Sequence, residues 1–540
     1  MSKWSKYQEA IYRAVAETTD SLLIEAVAGA GKTSTIVEAI NYVSRDKSVV
    51  LCAFNKSIAD TLRARISAPN ATCATLHSLG LRAWQGFCGG GVRVESSKTR
   101  DLIRDMLTWD QRKRMPGLAK LIGLAKQHGI VSNGEQTLSG AYFRHPEEFR
   151  PVAYVREPGN ALYEPLEGKK GHSVTLADLP ETQEGCVARG LMADTEENWL
   201  SLMETYDIDS EEVDLYLARK VLGESLARAS EVMDYDDMLM APIVCGAPFQ
   251  QFDVVFVDEV QDLNGIQIEM IGRMVGAQGR VIAVGDPAQS IYHFRGATAD
   301  AMSVLGRRFK CKALPLSISY RCPRSVVRRA QSWVQHIEAR EDAPEGAVLS
   351  PSEWALKDFR ASDVILCRLT RPLVDVAFKL IRARIPCRVL GRDIGAGLLK
   401  LIDKSKLAPE SSVRALEQWL DSYHQAETRR LSKAEQWAQL GILGDKLDTL
   451  RIFMAEGTTI RWLRMEIESL FHDSGTGQQI RLSTIHKFKG QEAERVFVLD
   501  ADELMPCKWS NDLEGEKNLA YVAATRAQSE LYYISSSRLR

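Results

Sequence analysis

Lys32 and Thr33 stand near the end of the stretch Ile24–Thr35, IEAVAGAGKTST, where small residues crowd between an apolar run and a helix-forming one. Leu22, Leu23 and Ile24 read as the end of a buried strand, and Thr33–Val43 has the apolar spacing of a helix. The turn between them therefore lies at a helix N-terminus, where backbone N–H groups and the positive end of the helix dipole hold phosphate oxygens. On this reading Ala26, Val27, Ala28, Gly29, Ala30, Gly31, Lys32, Thr33 and Ser34 wrap the β- and γ-phosphates of a nucleotide. Lys32 adds a point charge, and the Thr33 hydroxyl is a ligand for Mg²⁺. The first position of the pattern, usually glycine, is Ala26 here. A second stretch, FDVVFVDEVQDLN from Phe252 to Asn264, is a β-branched and aromatic strand ending in two carboxylates. Asp258 is placed to hold Mg²⁺, and Glu259 to orient or deprotonate an attacking water. Either stretch alone has an ordinary explanation, a flexible turn or an acidic strand end. Together they specify hydrolysis of a nucleoside triphosphate.

The rest of the chain must position these groups. Its 540 residues exceed what one core organises, so about three or four structural units are expected. Apolar and charged residues, 45% and 26%, are in ordinary globular proportion, and no run is long and apolar enough to span a bilayer. No membrane partner is expected. The N-terminus, MSKWSK, has no signal-peptide core, so the ten cysteines are expected in a reducing compartment; none forms a Cys-x-x-Cys pair. Net charge is −2, so any nucleic-acid surface must be local. Basic clusters at Arg112–Arg114, at Arg307, Arg308, Lys310 and Lys312, and at Arg321, Arg324, Arg328 and Arg329 each read singly as solvated faces.

Four further blocks follow in order: AVGDPAQSIYHFRGA (Ala283–Ala297), LSISYRCP (Leu316–Pro323), LSTIHKFKGQEAE (Leu482–Glu494) and NLAYVAATRA (Asn518–Ala527). With the two nucleotide motifs, this series resembles the superfamily 1 DNA helicases of the UvrD/Rep/PcrA type. CAFNKSIAD (Cys52–Asp60) and TLHSLGLRAW (Thr75–Trp84) further resemble the helicase part of the F-box DNA helicases. The resemblance implies an α/β fold of two RecA-like P-loop NTPase domains with parallel sheets, each with an inserted subdomain, ATP in the cleft between them and single-stranded DNA across both. By position it implies that Gln8 reads adenine, Tyr320 stacks on the base, Glu492 contacts the ribose and Gln289 senses the γ-phosphate. Arg321 and Arg526 match the two arginines that reach that phosphate. A guanidinium delivered on closure is physically apt there, because phosphoryl transfer spreads negative charge over the γ-oxygens.

DNA contact is expected from Phe54, Asn55, Lys56, His77, Tyr292, Phe294, Thr484 and His486. Aromatic faces stack on unpaired bases without reading sequence, so binding should be largely sequence-blind. The third motif carries Phe294 where Trp is usual and His293 where Gly is typical, and Ser319 replaces the usual Asn before the Tyr-Arg pair.

The blocks divide the chain. Residues 1–92 and 229–312 are expected to form the N-terminal RecA-like domain, interrupted by an insertion at 93–228. Residues 313–395 and 477–540 are expected to form the second domain, interrupted by a small helical insertion at 396–476. The first insertion begins helically, then PVAYVREPGNALYEPL (Pro151–Leu166) alternates about a Pro158-Gly159-Asn160 turn and predicts a β-hairpin. Lys169 and Lys170 beyond it either touch duplex backbone or belong to a hairpin that only caps the insertion. Asp363–Gly391 reads strand–helix–strand. The last motif ends near Arg540, so no nuclease domain is expected; nor is an N-terminal F-box, because Gln8 already belongs to the nucleotide site.

The sequence thus points to an ATP-dependent DNA helicase or translocase acting in DNA repair, recombination or replication. Its cofactors are ATP and Mg²⁺, and its partners single-stranded DNA and single/double-strand junctions. Resemblance implies 3′-to-5′ movement. The expected location is the cytoplasm, at the nucleoid in a prokaryote or phage, or the nucleus in a eukaryote. Two alternatives stay open: a DNA-stimulated ATPase that strips proteins from single strands without unwinding, and a nucleotide-gated DNA-sensing subunit of a nuclease complex.

Overall fold

Short, almost wholly apolar segments dominate the strand positions: Val49–Ala53 (VVLCA) and Val364–Cys367 (VILC) are buried at every residue. Strands of that kind need cover on both faces, which parallel sheets flanked by helices provide. The computed structural model shows two such sheets. It describes residues 4–53, 55–107, 115–131, 152–157, 160–165, 191–206, 208, 213–291, 301–433, 437–471, 479–508, 510 and 512–539. The chain falls into two units, one of Met1–Ala26 and Gly31–Leu316, the other of Val27–Ala30 and Ser317–Arg540.

In the first unit the strands are β1 (Leu22–Ala26), β2 (Val49–Ala53), β3 (Ala71–Thr75), β4 (Phe252–Val257), β5 (Val275–Gly285) and β6 (Lys312–Leu316). They lie in the order β6-β1-β5-β4-β2-β3, every pairing parallel. Helix α1 (Lys6–Glu17) precedes β1, α2 (Lys32–Ala39) and α3 (Lys56–Arg65) connect the early strands, and α4 (Leu76–Cys88) follows β3. The helix after the glycine turn is shorter than its sequence pattern suggests. It tightens into a 3₁₀ turn at Ile40–Tyr42, where helix ends commonly contract to satisfy their last carbonyls.

Between α4 and β4 the chain makes a long excursion. It contains α5 (Lys98–Met106), α6 (Met115–His128), a helix at Glu196–Thr205 and α7 (Leu215–Ala227), before α8 (Asp237–Val244) leads back to the sheet. The expected hairpin is present as antiparallel strands Val152–Glu157 and Asn160–Pro165; Lys169 and Lys170 lie outside the described residues. Arg93–Val94 pairs in parallel with Val232–Met233, and Ile130–Val131 with Met192–Ala193. The excursion therefore leaves and returns side by side. Its helices share one apolar core with the sheet, with Leu102, Ile103, Leu121, Trp199 and Val221 joining Leu239, Ile266 and Val255.

Where the excursion meets the sheet, charges are buried together. Lys98 Nζ lies 2.6 Å from Asp237 Oδ2, and Lys126 Nζ lies 2.8 Å from Asp234 and 2.7 Å from Asp237. Burial draws the Lys98 ammonium below its ordinary value. Burial acts likewise on Lys126, but the charges of Asp237 and Asp234 outweigh it and hold Lys126 above its ordinary value.

The second unit repeats the design with β7 (Ala347–Leu349), β8 (Val364–Cys367), β9 (Cys387–Leu390), β10 (Ile480–Thr484), β11 (Ala493–Leu499) and β12 (Ala527–Ile534). Their order is β7-β12-β11-β8-β10-β9, again all parallel. The expected strand–helix–strand appears as β8, the helix Thr370–Arg382 and β9. Four helices, Arg392–Lys404, Val413–Lys433, Trp437–Glu456 and Ile460–Leu470, fill the stretch between β9 and β10. Leu416, Leu447, Phe453 and Leu463 pack them into the same core as Ile365 and Leu482. Among the described residues, no helix is long and apolar enough to cross a membrane.

Candidate nucleotide and DNA sites

In an open parallel sheet, loops at the carboxyl ends of the strands face a common crevice. In the first unit, β1, β5 and β4 are neighbours, and their carboxyl ends deliver Lys32–Thr33, Asp286–Gln289 and Asp258–Glu259 respectively. Gly29 and Gly31 have φ of 71° and 77°, left-handed values that a Cβ resists, so the turn needs glycine at both points. Lys32 opens α2 directly after Gly31.

The three loops interlock. Thr33 Oγ1 donates to Asp258 Oδ2 at 2.9 Å, and Lys32 Nζ lies 3.4 Å from Glu259 Oε2. The Asp258 carboxyl is pushed up to about 7, first by burial and then by the neighbouring Glu259 charge; Lys32 and the Thr33 hydroxyl act the other way. Burial also raises Asp286, against the charge of Lys32 and the hydrogen bond from Gln289. Gln289 Nε2 donates to Asp286 Oδ2 at 2.6 Å. Glu259 itself adopts φ 52° and ψ 47°, a left-handed conformation costly for a residue with a Cβ and characteristic of functional sites. Gln8 is buried beside α2: its Nε2 donates to Thr35 Oγ1 at 3.1 Å, and its Oε1 accepts from Ser5 N at 3.1 Å.

The neighbouring strands β2 and β3 end in the proposed DNA residues of this unit. Asn55 caps α3 by accepting from Ile58 N at 2.9 Å, and Lys56 is the first residue of that helix. His77, in the first turn of α4, is half-buried and held below its ordinary value by burial. Its ring meets the Tyr235 ring edge-on at 6.4 Å, and Tyr235 is 58% exposed. Phe54, Tyr292 and Phe294 lie outside the described residues.

The second unit gathers its own set. Arg321 Nε donates to Glu492 Oε2 at 2.5 Å and its Nη1 to Thr525 O at 3.4 Å; Gln528 Nε2 donates to Glu492 Oε1 at 2.7 Å. Arg526 is 1% exposed, with Nε donating to Val522 O at 3.0 Å and Nη1 to Gln491 O at 3.2 Å. Tyr320 is 41% exposed. Ser319, in the usual Asn position, accepts from Cys322 N at 3.2 Å through its hydroxyl, so the turn before Arg321 stays capped. Thr484 ends β10 and His486 follows in the short helix Ile485–Phe488.

Three features escaped sequence reasoning. Gln261, in the turn after Glu259, contacts both Glu259 and the Asp286 backbone; the sequence alone held no signal for it. Arg368, at the end of β8 beside Thr484, donates twice to Glu516 Oε1, from Nε at 3.0 Å and Nη2 at 2.8 Å. Tyr235, in the acidic-aromatic stretch Val232–Met240 that returns the chain to the first core, carried no expected role.

Comparison with known proteins follows the same division. Residues 7–310 match the model of the UvrD/REP helicase N-terminal domain, and residues 398–538 that of the UvrD-like helicase C-terminal domain. The chain belongs to the UvrD/Rep helicase family. Its mixed α/β fold with parallel sheets is that of two RecA-like helicase domains. It is 23% identical to F-box DNA helicase protein 1 of Schizosaccharomyces pombe over 94% of this chain and 55% of that protein. It is 23% identical to F-box DNA helicase 1 of Gallus gallus over 97% of this chain and 48% of that protein. A shorter match, 30% identical over 20% of this chain and 18% of the relative, is to ATP-dependent DNA helicase Rep of Escherichia coli. The chain thus spans about half the length of the F-box DNA helicases it matches.

Proposed function

We propose that this UvrD/Rep-family chain is an ATP-dependent DNA helicase that moves along single-stranded DNA, 3′ to 5′, in repair, recombination or replication. The observation that carries the reading is the convergence of Lys32, Thr33, Asp258, Glu259 and Gln289 at the carboxyl ends of three adjacent parallel strands. Residues 1–92 and 229–312 would form the ATP-binding RecA-like domain around the 93–228 insertion. Residues 313–395 and 477–540 would form the second around the 396–476 insertion.

The chemistry follows from the groups. Backbone N–H groups of Ala26–Ser34 and the Lys32 ammonium receive the β- and γ-phosphates. Lys32 now faces Glu259, and a phosphate arriving there offers it a more highly charged partner. Glu259 accepts a proton from water, and Gln289 reports the γ-phosphate. Arg321 and Arg526 neutralise charge on the γ-oxygens; Gln8 reads adenine, Tyr320 stacks on it and Glu492 takes the ribose.

Mg²⁺ fits the residues present. The Thr33 hydroxyl and the buried Asp258 carboxyl lie 2.9 Å apart, and burial and the Glu259 charge disfavour the ionised form of that carboxyl, a cost that a bound cation offsets. Among the described residues, no group of three or more His, Cys, Asp or Glu is arranged to hold a metal, so Thr33 and Asp258 would share the ion with nucleotide oxygens. When bound, Mg²⁺ would screen the phosphate charge.

Asn55, Lys56, His77, Thr484 and His486, with Phe54, Tyr292 and Phe294, would hold the strand, and the partner would be a single strand or its junction with duplex. The test is ATP turnover with and without single-stranded DNA, followed by displacement from blunt and 3′-tailed duplexes. Turnover strongly stimulated by DNA, abolished in Lys32→Ala, with displacement of the tailed duplex only, is the expected outcome. Turnover indifferent to DNA would defeat the reading. Stimulated turnover without displacement would favour a protein-stripping translocase, to which the small four-helix second insertion is suited.

A further inference from the structure

Glu259 has a flexible three-torsion side chain in a half-open position, yet a general base must point at one water. What aims it is on the same side of the sheet. Gln261 is 2% exposed and sits in the 3₁₀ turn Val260–Asp262 immediately after Glu259. Its Nε2 donates to Glu259 Oε2, the oxygen that Lys32 faces. Its Oε1 accepts from the backbone N–H of Asp286 at 3.0 Å, and its backbone carbonyl accepts from Ser290 Oγ at 3.2 Å. The two ends of the amide fix each other: a backbone N–H can only donate, so Oε1 must face Asp286, which leaves the NH₂ for Glu259. Gly285 supports this placement from β5. A Cβ there would lie 2.7 Å from Gln261 Oε1 and 2.9 Å from Met302 Sδ, so the amide occupies space that only glycine leaves open.

We propose that Gln261 is the positioning residue of the hydrolytic site: it aims the Glu259 carboxylate and ties it to the loop that carries Gln289. The inference rests on the reading of Glu259 as the base. Asp286 extends the link, because its backbone N–H is bound by Gln261 while its carboxylate accepts from Gln289. A displacement of the Gln289 loop is thereby passed to Glu259 through one buried amide. Both loops are braced by hydrogen bonds in the interior, where such bonds are costly to break and so transmit position well.

Three variants of the full chain separate aiming from mere packing. Gln261→Glu keeps the size and the acceptor for Asp286 N and, assayed at a pH high enough to ionise both carboxyls, cannot donate to Glu259. Gln261→Met keeps the size and loses both bonds. Gly285→Ala crowds the amide without touching it chemically. DNA-stimulated ATP turnover, KM for ATP and binding of a fluorescent non-hydrolysable ATP analogue are measured for each, with Glu259→Gln as reference. All three should lose at least about tenfold in kcat while KM and analogue binding stay within about twofold. Gln261→Glu should be no better than Gln261→Met. If Glu259→Gln itself turns over normally, the assignment of the base has failed. If Glu259→Gln is inactive but Gln261→Glu keeps kcat, Gln261 serves only the Asp286 loop and the inference is overturned. Loss of analogue binding in both Gln261 variants would overturn it equally, since the residue would then act on binding or folding.

Discussion

Arg526 is a cation held in the interior by main-chain acceptors. Its guanidinium is buried on the carbonyls of Val522 and Gln491, so it is desolvated and held in one orientation. Truncation removes more than charge: two carbonyls lose a donor, at about 1–3 kcal/mol for each group left unsatisfied. We expect Arg526→Ala to retain ATP-analogue binding but to lose turnover by about 10³–10⁵-fold, with Arg526→Lys also impaired because a point charge does not reproduce the planar fork. Rapid-quench hydrolysis alongside equilibrium binding measures both. Near-normal turnover in Arg526→Ala would remove it from the site. At this scale the sequence was most informative where chemistry dictates residue type. That Lys32, Thr33, Asp258 and Glu259 would lie together was legible, because two patterns expected to share one triphosphate must meet. Gln261 was not, because an amide two residues from a carboxylate carries no signal until the fold shows which loop lies beside it.

The helices α5 and α6 of the first insertion are fixed to α8 and the turn before it by the buried lysine–aspartate group as well as by apolar contact. Lys126→Met leaves Asp234 without that partner and removes one of the two lysines from Asp237, and breaking a buried pair from one side typically costs about 3–5 kcal/mol. Thermal or urea melts should show that loss, whereas truncating the exposed Arg328–Glu345 pair should leave the melt unchanged, because solvent screens it. Two neighbours give the region opposing pH responses. Burial holds the His128 imidazole down at about 4, with Nε2 2.7 Å from the Tyr206 hydroxyl, so its stabilising contribution is complete above pH 6.5 and is lost as pH falls through about 4. Burial raises Asp236 to about 6, so its contribution is complete below 3.8 and lost as pH rises through about 6. His128→Gln should therefore show a smaller fall in melting temperature between pH 7 and pH 4 than the parent. None of these partnerships could be read beforehand. Lys98, Lys126 and Asp237 are far apart in sequence, and a lysine in a helical pattern looks like surface until packing encloses it. The strand–helix–strand at Val364–Leu390 was legible because its apolar run and helical period are local.

For the molecule as a whole, a net charge of −2 coexists with proposed binding to a polyanion. Affinity for a single strand should then rest on a few local phosphate contacts, and log Kd against log salt should give a slope of about 0.7 per contact, measured by fluorescence anisotropy. A salt-independent affinity would exclude the phosphate-contact account. The two parallel sheets were legible as a class through the resemblance of the motif blocks to the helicases, although the blocks do not all mark strand ends: NLAYVAATRA lies in the helix Leu513–Ala524 and leads into β12. Strand order was not: nothing local to β5 says that it lies between β1 and β4, yet that placement brings the Asp286 backbone to Gln261, beside Glu259. The paired segments Arg93–Val94 and Val232–Met233 have a last implication. Because the departing and returning chain run abreast in the same direction, the excursion opens and closes at one point beside the sheet, so its length places no demand on strand order. What its helices must keep is the apolar face they share with that sheet.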